Sequence, residues 1–497
     1  MMRLLFFEVA IMHSASVSAE QPDPLRWRIL AVLLATTFMS LVSVSIVNVA
    51  LPSIEHSLHA SRSDLQWVLS GYALTFGVVL VAAGRAGDIF GRGGIFIVGV
   101  LVFISSSVVA GLAPSPNWLN GARFMQGIGS GLINPQGLGM IQQYFRGAER
   151  GRAFGFFGSM VGLSVAFGPV VGGVLIALGG ADLGWRLAFL VNVPVAAVII
   201  FLAWRWFPRP LIGFNCDGHG AAKWLKALAA LDPIGSLLLG LAVLCGLLPF
   251  VETHVSHWIW LLLPTALLLV WLWVQWERYY ARSGRTPMVE LSIFSTPSFA
   301  NGSLIMMLYF LGMTSVWVIV AIYMQEAAGK SALQAGLVGI PAALLSAYAA
   351  NWAGKRVHRL GRGIVIGGIW LGIAGMVLSV LVIYLQSQGF ISVWWLVASL
   401  SLVGLAQGSV ISPNQTLTLE EVPIQYAGSS GAIMQTGQRI GTSIGIAVIT
   451  AVFFGTLHHA SWAVALSSGF VMIALVLALA LVFAYKDFYQ RQKALAD

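Results

Sequence analysis

The sequence predicts an all-α polytopic membrane protein: two six-helix bundles copied as parallel repeats, two inserted helices, fourteen crossings in all. Three observations predict it. Of 497 residues, 58% are hydrophobic and 9% charged, whereas soluble domains carry roughly a quarter charged residues. The apolar runs are continuous and reach the length of about 20 residues that a spanning helix needs; they do not alternate as barrel strands do. Finally, a Gly-rich basic string occurs twice. Gly84 to Gly94 reads Gly-Arg-Ala-Gly-Asp-Ile-Phe-Gly-Arg-Gly-Gly, and Gly354 to Arg362 reads Gly-Lys-Arg-Val-His-Arg-Leu-Gly-Arg. Both keep a Gly, a basic residue, five residues, then Gly-Arg, about 270 positions apart.

In chain order the runs predict helices near 27–51, 66–84, 94–113, 118–142, 151–179 and 185–207, then 231–252 and 258–277, then 298–325, 333–353, 364–387, 392–417, 430–457 and 462–485. The expected organisation is a cytoplasmic tail (1–26), a first six-helix bundle (27–207), a linker with two extra spans (208–297), a second bundle (298–485) and a cytoplasmic tail (486–497). The start mimics a secretory signal, but Glu8 interrupts its apolar part. An uncleaved tail is expected, with Met12 as an alternative start. A second repeat supports the pairing of halves. Gly129-Ser-Gly-Leu-Ile-Asn-Pro135 and Gln407-Gly-Ser-Val-Ile-Ser-Pro413, aligned on proline, lie about 278 positions apart. Copies in the same orientation imply an axis along the membrane normal.

The net charge of +9 is a topology signal rather than a nucleic-acid signal. With both termini inside, 22 of the 27 Lys and Arg fall in cytoplasmic segments, as the positive-inside rule requires. Three fall outside, and Arg123 and Arg439 lie within helices. Cys216 and Cys245 imply no disulfide or metal framework. No zinc-type histidine pair, phosphate loop or nucleophile elbow appears, so neither an enzyme nor a cofactor is expected.

These residues together resemble the major facilitator superfamily, specifically its fourteen-helix drug:proton antiporter branch, over Trp27 to Tyr485. Gly84, Asp88, Gly91 and Arg92 resemble its loop motif. Leu119, Arg123, Gln126, Gly127 and Pro135 resemble the fourth-helix motif, and Gly162, Gly168, Pro169, Gly172 and Gly173 the fifth-helix motif associated with antiporters. Ile46-Val-Asn-Val-Ala-Leu-Pro52, Trp185-Arg186 and Asn192-Val-Pro194 add branch markers. There are two departures. Ser43 stands where the branch usually has an aspartate, and His358 stands in the second hinge where the first has Asp88.

Each candidate carries a functional and a plainer reading. Gly84, Asp88, Gly91 and Arg92 form a conformational latch, or a loop that only sets orientation. Arg123, costly in hydrocarbon by about 2.5–3.5 kcal/mol at a helix centre, should face the interior. The resemblance implies a part in proton coupling, and the alternative is an arginine bonded to carbonyls. Gly168, Pro169, Gly172 and Gly173 form a gate between the halves or simple tight packing. Ser43, Asn48, Gln126, Asn134, Gln407, Asn414, Gln435 and Arg439 line a central cavity or bond between helices. Trp67, Tyr72, Tyr309, Trp317, Met306 and Met307 suit a greasy pocket or ordinary packing. Of 18 acids none falls at mid-membrane. Glu326 is the candidate titrating group, or an ordinary helix-end acid; Glu252 lies close to His254 and His257. Arginines without a carboxylate favour neutral or anionic amphipathic substrates over multivalent cations.

The expected function is a plasma-membrane secondary carrier, monomeric, exporting amphipathic small molecules by alternating access with proton influx. Two other readings stay open: a facilitator or importer that protons do not drive, and a transport-inactive sensor or scaffold.

Overall fold

The structure is a computed structural model that describes residues 23–213, 230–251 and 257–496. The start-site question, Glu252, His254 and Cys216 lie outside these residues. The first bundle comprises α1 (Arg26–Leu58), α2 (Arg62–Phe90), α3 (Arg92–Gly111), α4 (Pro116–Tyr144), α5 (Gly147–Gly180) and α6 (Asp182–Trp206). The inserted pair is α7 (Pro233–Val251) and α8 (Leu262–Arg282). The second bundle comprises α9 (Pro297–Ile322), α10 (Gly339–Leu360), α11 (Arg362–Ser387), α12 (Leu396–Thr418), α13 (Ala427–Leu457) and α14 (Trp462–Ala496).

Among the described residues, 13 helices are long and apolar enough to cross a membrane. The fourteenth is α4, long enough at 29 residues but rich in Gly, Asn and Gln. Its polar residues are mostly buried against α2 and α3, so protein rather than lipid supplies their partners. Local signals set the helix ends. Ser61 and Asp64 cap α2 reciprocally. Gly180, at φ 68 and ψ −172, separates α5 from α6. Gly91 and Gly361, at φ 99 and φ 53, make the one-residue turns of the two hinges, a backbone region that favours glycine.

In the segment expected as a tail, 486–497, helix α14 continues to Ala496. Asp487, counted as cytoplasmic, is completely buried. The inserted pair packs on the side of the first seam. Leu247 and Val243 of α7 fill the space beside Gly77 of α2, and Ile440 of α13 packs into the same cluster. Helix α7 therefore stands against α2 and α13, while α8 packs on α7.

Candidate functional site

The two bundles meet along two seams related by the repeat: α2 with α13, and α5 with α10. At the first, a Cβ on Gly84 would stand 2.5 Å from the Gly428 carbonyl oxygen. At the second, a Cβ on Gly354 would stand 2.4 Å from the Gly151 carbonyl oxygen. Only glycine permits either backbone approach.

Around Gly84 the latch residues converge. Asp88 accepts from the amides of Gly428 and Ser429, both at 3.0 Å, and so caps the N-terminus of α13 across the seam. An acid at a helix N-terminus satisfies orphan amides and complements the dipole. Arg92 pairs with Asp88 at 2.8 Å. It also donates to Gln143 at 2.8 Å and to the Ile424 carbonyl of the opposite bundle at 2.7 Å. Gln142 donates to Leu419 O at 2.5 Å, and Arg150 lies 3.5 Å from Glu420. Deeper in, Ser159 donates to Ala347 O at 2.6 Å. Among the described residues, every hydrogen bond joining the bundles belongs to this set, and all but the Ser159 bond, which lies well inside α5 and α10, are at the hinge end.

Farther along the first seam, facing helices present polar groups. Leu138 of α4 touches Gly431 of α13. One turn onward on each helix stand Asn134 and Gln435, and beyond them Ser130 and Arg439. Tyr72 donates to Ser130 Oγ at 2.7 Å. The Arg439 guanidinium stacks 4.4 Å from the Phe76 ring and makes no hydrogen bond with the described residues. Gln435 Oε1, Thr436 Oγ1 and Gln438 Nε2 are buried without a protein partner. This stretch combines aromatic rings, an arginine and side-chain polar atoms without a protein partner.

Several other sequence candidates lie elsewhere. Arg123, 1% exposed, is inside the first bundle. It donates to Val68 O at 2.8 Å and Gln126 Oε1 at 2.5 Å, over the Tyr72 ring at 4.4 Å. Gln126 donates onward to Ser107 Oγ at 2.8 Å. Both residues cross-link α2, α3 and α4 and do not line the seam. Asn414 is likewise buried within the second bundle, bonded to Arg362 and to Gly302 O. Ser43 is buried against Asn192 of α6; Asn48 is exposed on α1. Gln407 borders a small void between α5, α10 and α12. Glu326 is exposed on a single π turn, Tyr323–Ala327.

The expected gate is also displaced. Gly168 and Gly172 pack against Ser45 and Ile46 of α1, within one bundle, and a Cβ on Gly173 would meet open space. Backbone angles stay helical through Pro169 up to Gly180. The glycines of α5 that reach the opposite bundle are Gly151, Gly155, Gly158 and Gly162. Their spacing of four, four, three and four from Gly147 is visible in the sequence as a small-residue stripe, and it is the signal that would have found them.

Two repeated helical bundles, pinned together at one end and flanking a polar seam, define a multi-pass membrane transporter of small molecules. The Major Facilitator Superfamily model matches residues 33–446, and the chain belongs to that family. It is 32% identical to the probable actinorhodin transporter of Streptomyces coelicolor, over 88% of this chain and 75% of that protein. It is 27% identical to the puromycin resistance protein pur8 of Streptomyces alboniger, over 96% and 95%. The tetracenomycin C resistance and export protein of Streptomyces glaucescens is 27% identical over 85% and 75%. Among solved structures, the human organic anion transporter MFSD10 shares the fold with a TM-score of 0.66 at 15% identity, covering 93% of this chain and 100% of that one. The proton:xylose symporter XylE does so with 0.66 at 16%, covering 93% and 95%.

Proposed function

We propose that the chain exports amphipathic small molecules from the cell by alternating access, as a monomer in the cell membrane with both termini cytoplasmic. Its units are then the bundles 27–207 and 298–485 with the linker 208–297 between them. The observation that carries this reading is the concentration of inter-bundle hydrogen bonds at the hinge end, with the Ser159–Ala347 bond alone lying deeper. A carrier closed there presents its seam toward the opposite face, and release of Asp88 from α13 frees the other state. Relatives named for antibiotic resistance and export support the direction and the substrate class.

Within this proposal the substrate lies beside Tyr72, Asn134, Gln435 and Arg439. Arg439 favours neutral or anionic amphiphiles, and Arg123 holds the first bundle together. Protons are the proposed driving ion, with Glu326 as the titrating group at the outer rim. Everted vesicles under an imposed pH gradient test the whole: an exporter accumulates a fluorescent anionic amphiphile. Glu326→Gln should abolish that accumulation and spare exchange, and Arg439→Gln should weaken anionic substrates more than neutral ones. Ser43, buried where the branch usually has an acid, favours a second reading, a facilitator. Such a carrier would equilibrate the dye with or without the gradient.

A further inference from the structure

Outside the seam, the inserted pair holds two buried carboxyl groups. Asp232 precedes α7 at φ 46 and Glu277 lies on α8; each is 1% exposed. Asp232 is well held, accepting from the Gly235 amide at 3.0 Å and from Trp276 Nε1 at 2.8 Å. Glu277 is not: neither carboxyl oxygen has a hydrogen-bond partner. The Trp273 indole N–H and the backbone amides of Met288 and Val289 point at its carboxyl and favour its anion weakly, none of them in the close geometry that holds Asp232.

The two acids converge. Asp232 Oδ2 and Glu277 Oε1 lie 2.2 and 3.1 Å from the point where a Cβ on Gly235 would stand. The charged groups of the surrounding elements do not complete the pair. On α2, Arg85 Nε donates to Ala230 O at 3.2 Å. In the segment after α8, Glu290 accepts from the Ser292 amide at 3.4 Å. On α8 itself, Arg278 and Arg282 are exposed.

Two carboxylates this close in a dry site repel, and among the described residues no cation pairs with either to offset repulsion or desolvation. One proton removes both costs, because it cancels one charge and turns one carboxyl into a donor for the other. Asp232 already has an amide and an indole stabilising its anion, so the proton resides on Glu277. We infer that Asp232 and Glu277 hold one proton between them, making the inserted pair a proton-binding site separate from the seam. This does not depend on protons driving transport.

Infrared spectroscopy of the full chain in lipid nanodiscs at neutral pH tests it. The wild type is expected to show the carbonyl band of a protonated carboxyl, shifted in D2O and absent from Glu277→Gln. No band, or the same band in both proteins, overturns the inference. Gly235→Ala keeps both acids but intrudes on their meeting point, so it should move the band; an unmoved band also counts against the pair. Thermal melting gives an independent readout. A folded state that retains a proton the unfolded chain releases loses stability as pH rises. Glu277→Gln should flatten that slope, and equal slopes overturn the inference.

Discussion

At the first hinge, Asp88 leaves its own bundle to cap α13 and brings Arg92 with it. At the second, the corresponding His358 is exposed, and Arg362 takes its acid at 2.5 Å from Asp487, on α14 of its own bundle. The glycine frame is the same on both sides, yet the ionic contacts differ in what they join. The first pair bridges the two bundles, so under the proposed alternating access its strength would set a conformational balance. The second pair lies inside one body and sets only that body's stability. A repeated motif can thus keep its backbone role while one copy becomes a switch and the other an anchor.

The sharpest way to break this comparison is to remove the buried acids. Asp487→Asn strips the charge partner from Arg362, which is 1% exposed at its side chain. Loss of one member of a buried pair costs about 3–5 kcal/mol, so the variant should melt at a markedly lower temperature in detergent. Asp88→Asn should leave melting nearly unchanged and instead open the hinge end. Charge-assisted hydrogen bonds are worth about 1.5–3 kcal/mol, a shift of roughly tenfold to hundredfold in the closed-to-open ratio. Spin labels on the hinge ends of α2 and α13 would report it as a longer distance. If Asp88→Asn lowers stability as much as Asp487→Asn does, switch and anchor are not distinct.

Gly84→Ala and Gly354→Ala sharpen the shared part. Each places a methyl within 2.5 Å of an opposing carbonyl oxygen, so both should slow export severalfold and to a similar degree. A strong effect at one seam alone would show that the repeat is not mechanically symmetric. The smallest expected effect is at His358→Asn. This exposed side chain caps nothing, and export should stay within about twofold of wild type.

Hydropathy and the charge of loops made the fourteen crossings legible in the sequence, and the doubled hinge made the two bundles legible. Asp88 and Arg92 stood out in the sequence because glycine spacing and charge coincide in one short string, and both make contacts across the bundles. What the sequence hid was pairing at long range. Arg123 looks like a cavity residue until Val68 and Tyr72, about 50 positions earlier, are seen to hold it. Asp487 and Glu277 read as cytoplasmic acids because they lie at or beyond the ends of the apolar runs 462–485 and 258–277, and only packing shows them buried. Gly168 and Gly172 share a stripe pattern with Gly151 and Gly162. No local feature says which stripe faces α1 and which faces α10.

The polarity of α4 bears on how the chain is made. A segment carrying Arg123, Gln126 and Asn134 partitions poorly into lipid by itself, since a central arginine alone is penalised by about 2.5–3.5 kcal/mol on insertion scales. Its guanidinium needs Val68 O, and its neighbour Gln126 needs Ser107. Those groups are on helices synthesised before it. The nascent fourth segment is therefore retained beside α2 and α3 and passes into the bilayer as part of that trio, so damage to Val68 or Ser107 should surface first as failed biogenesis.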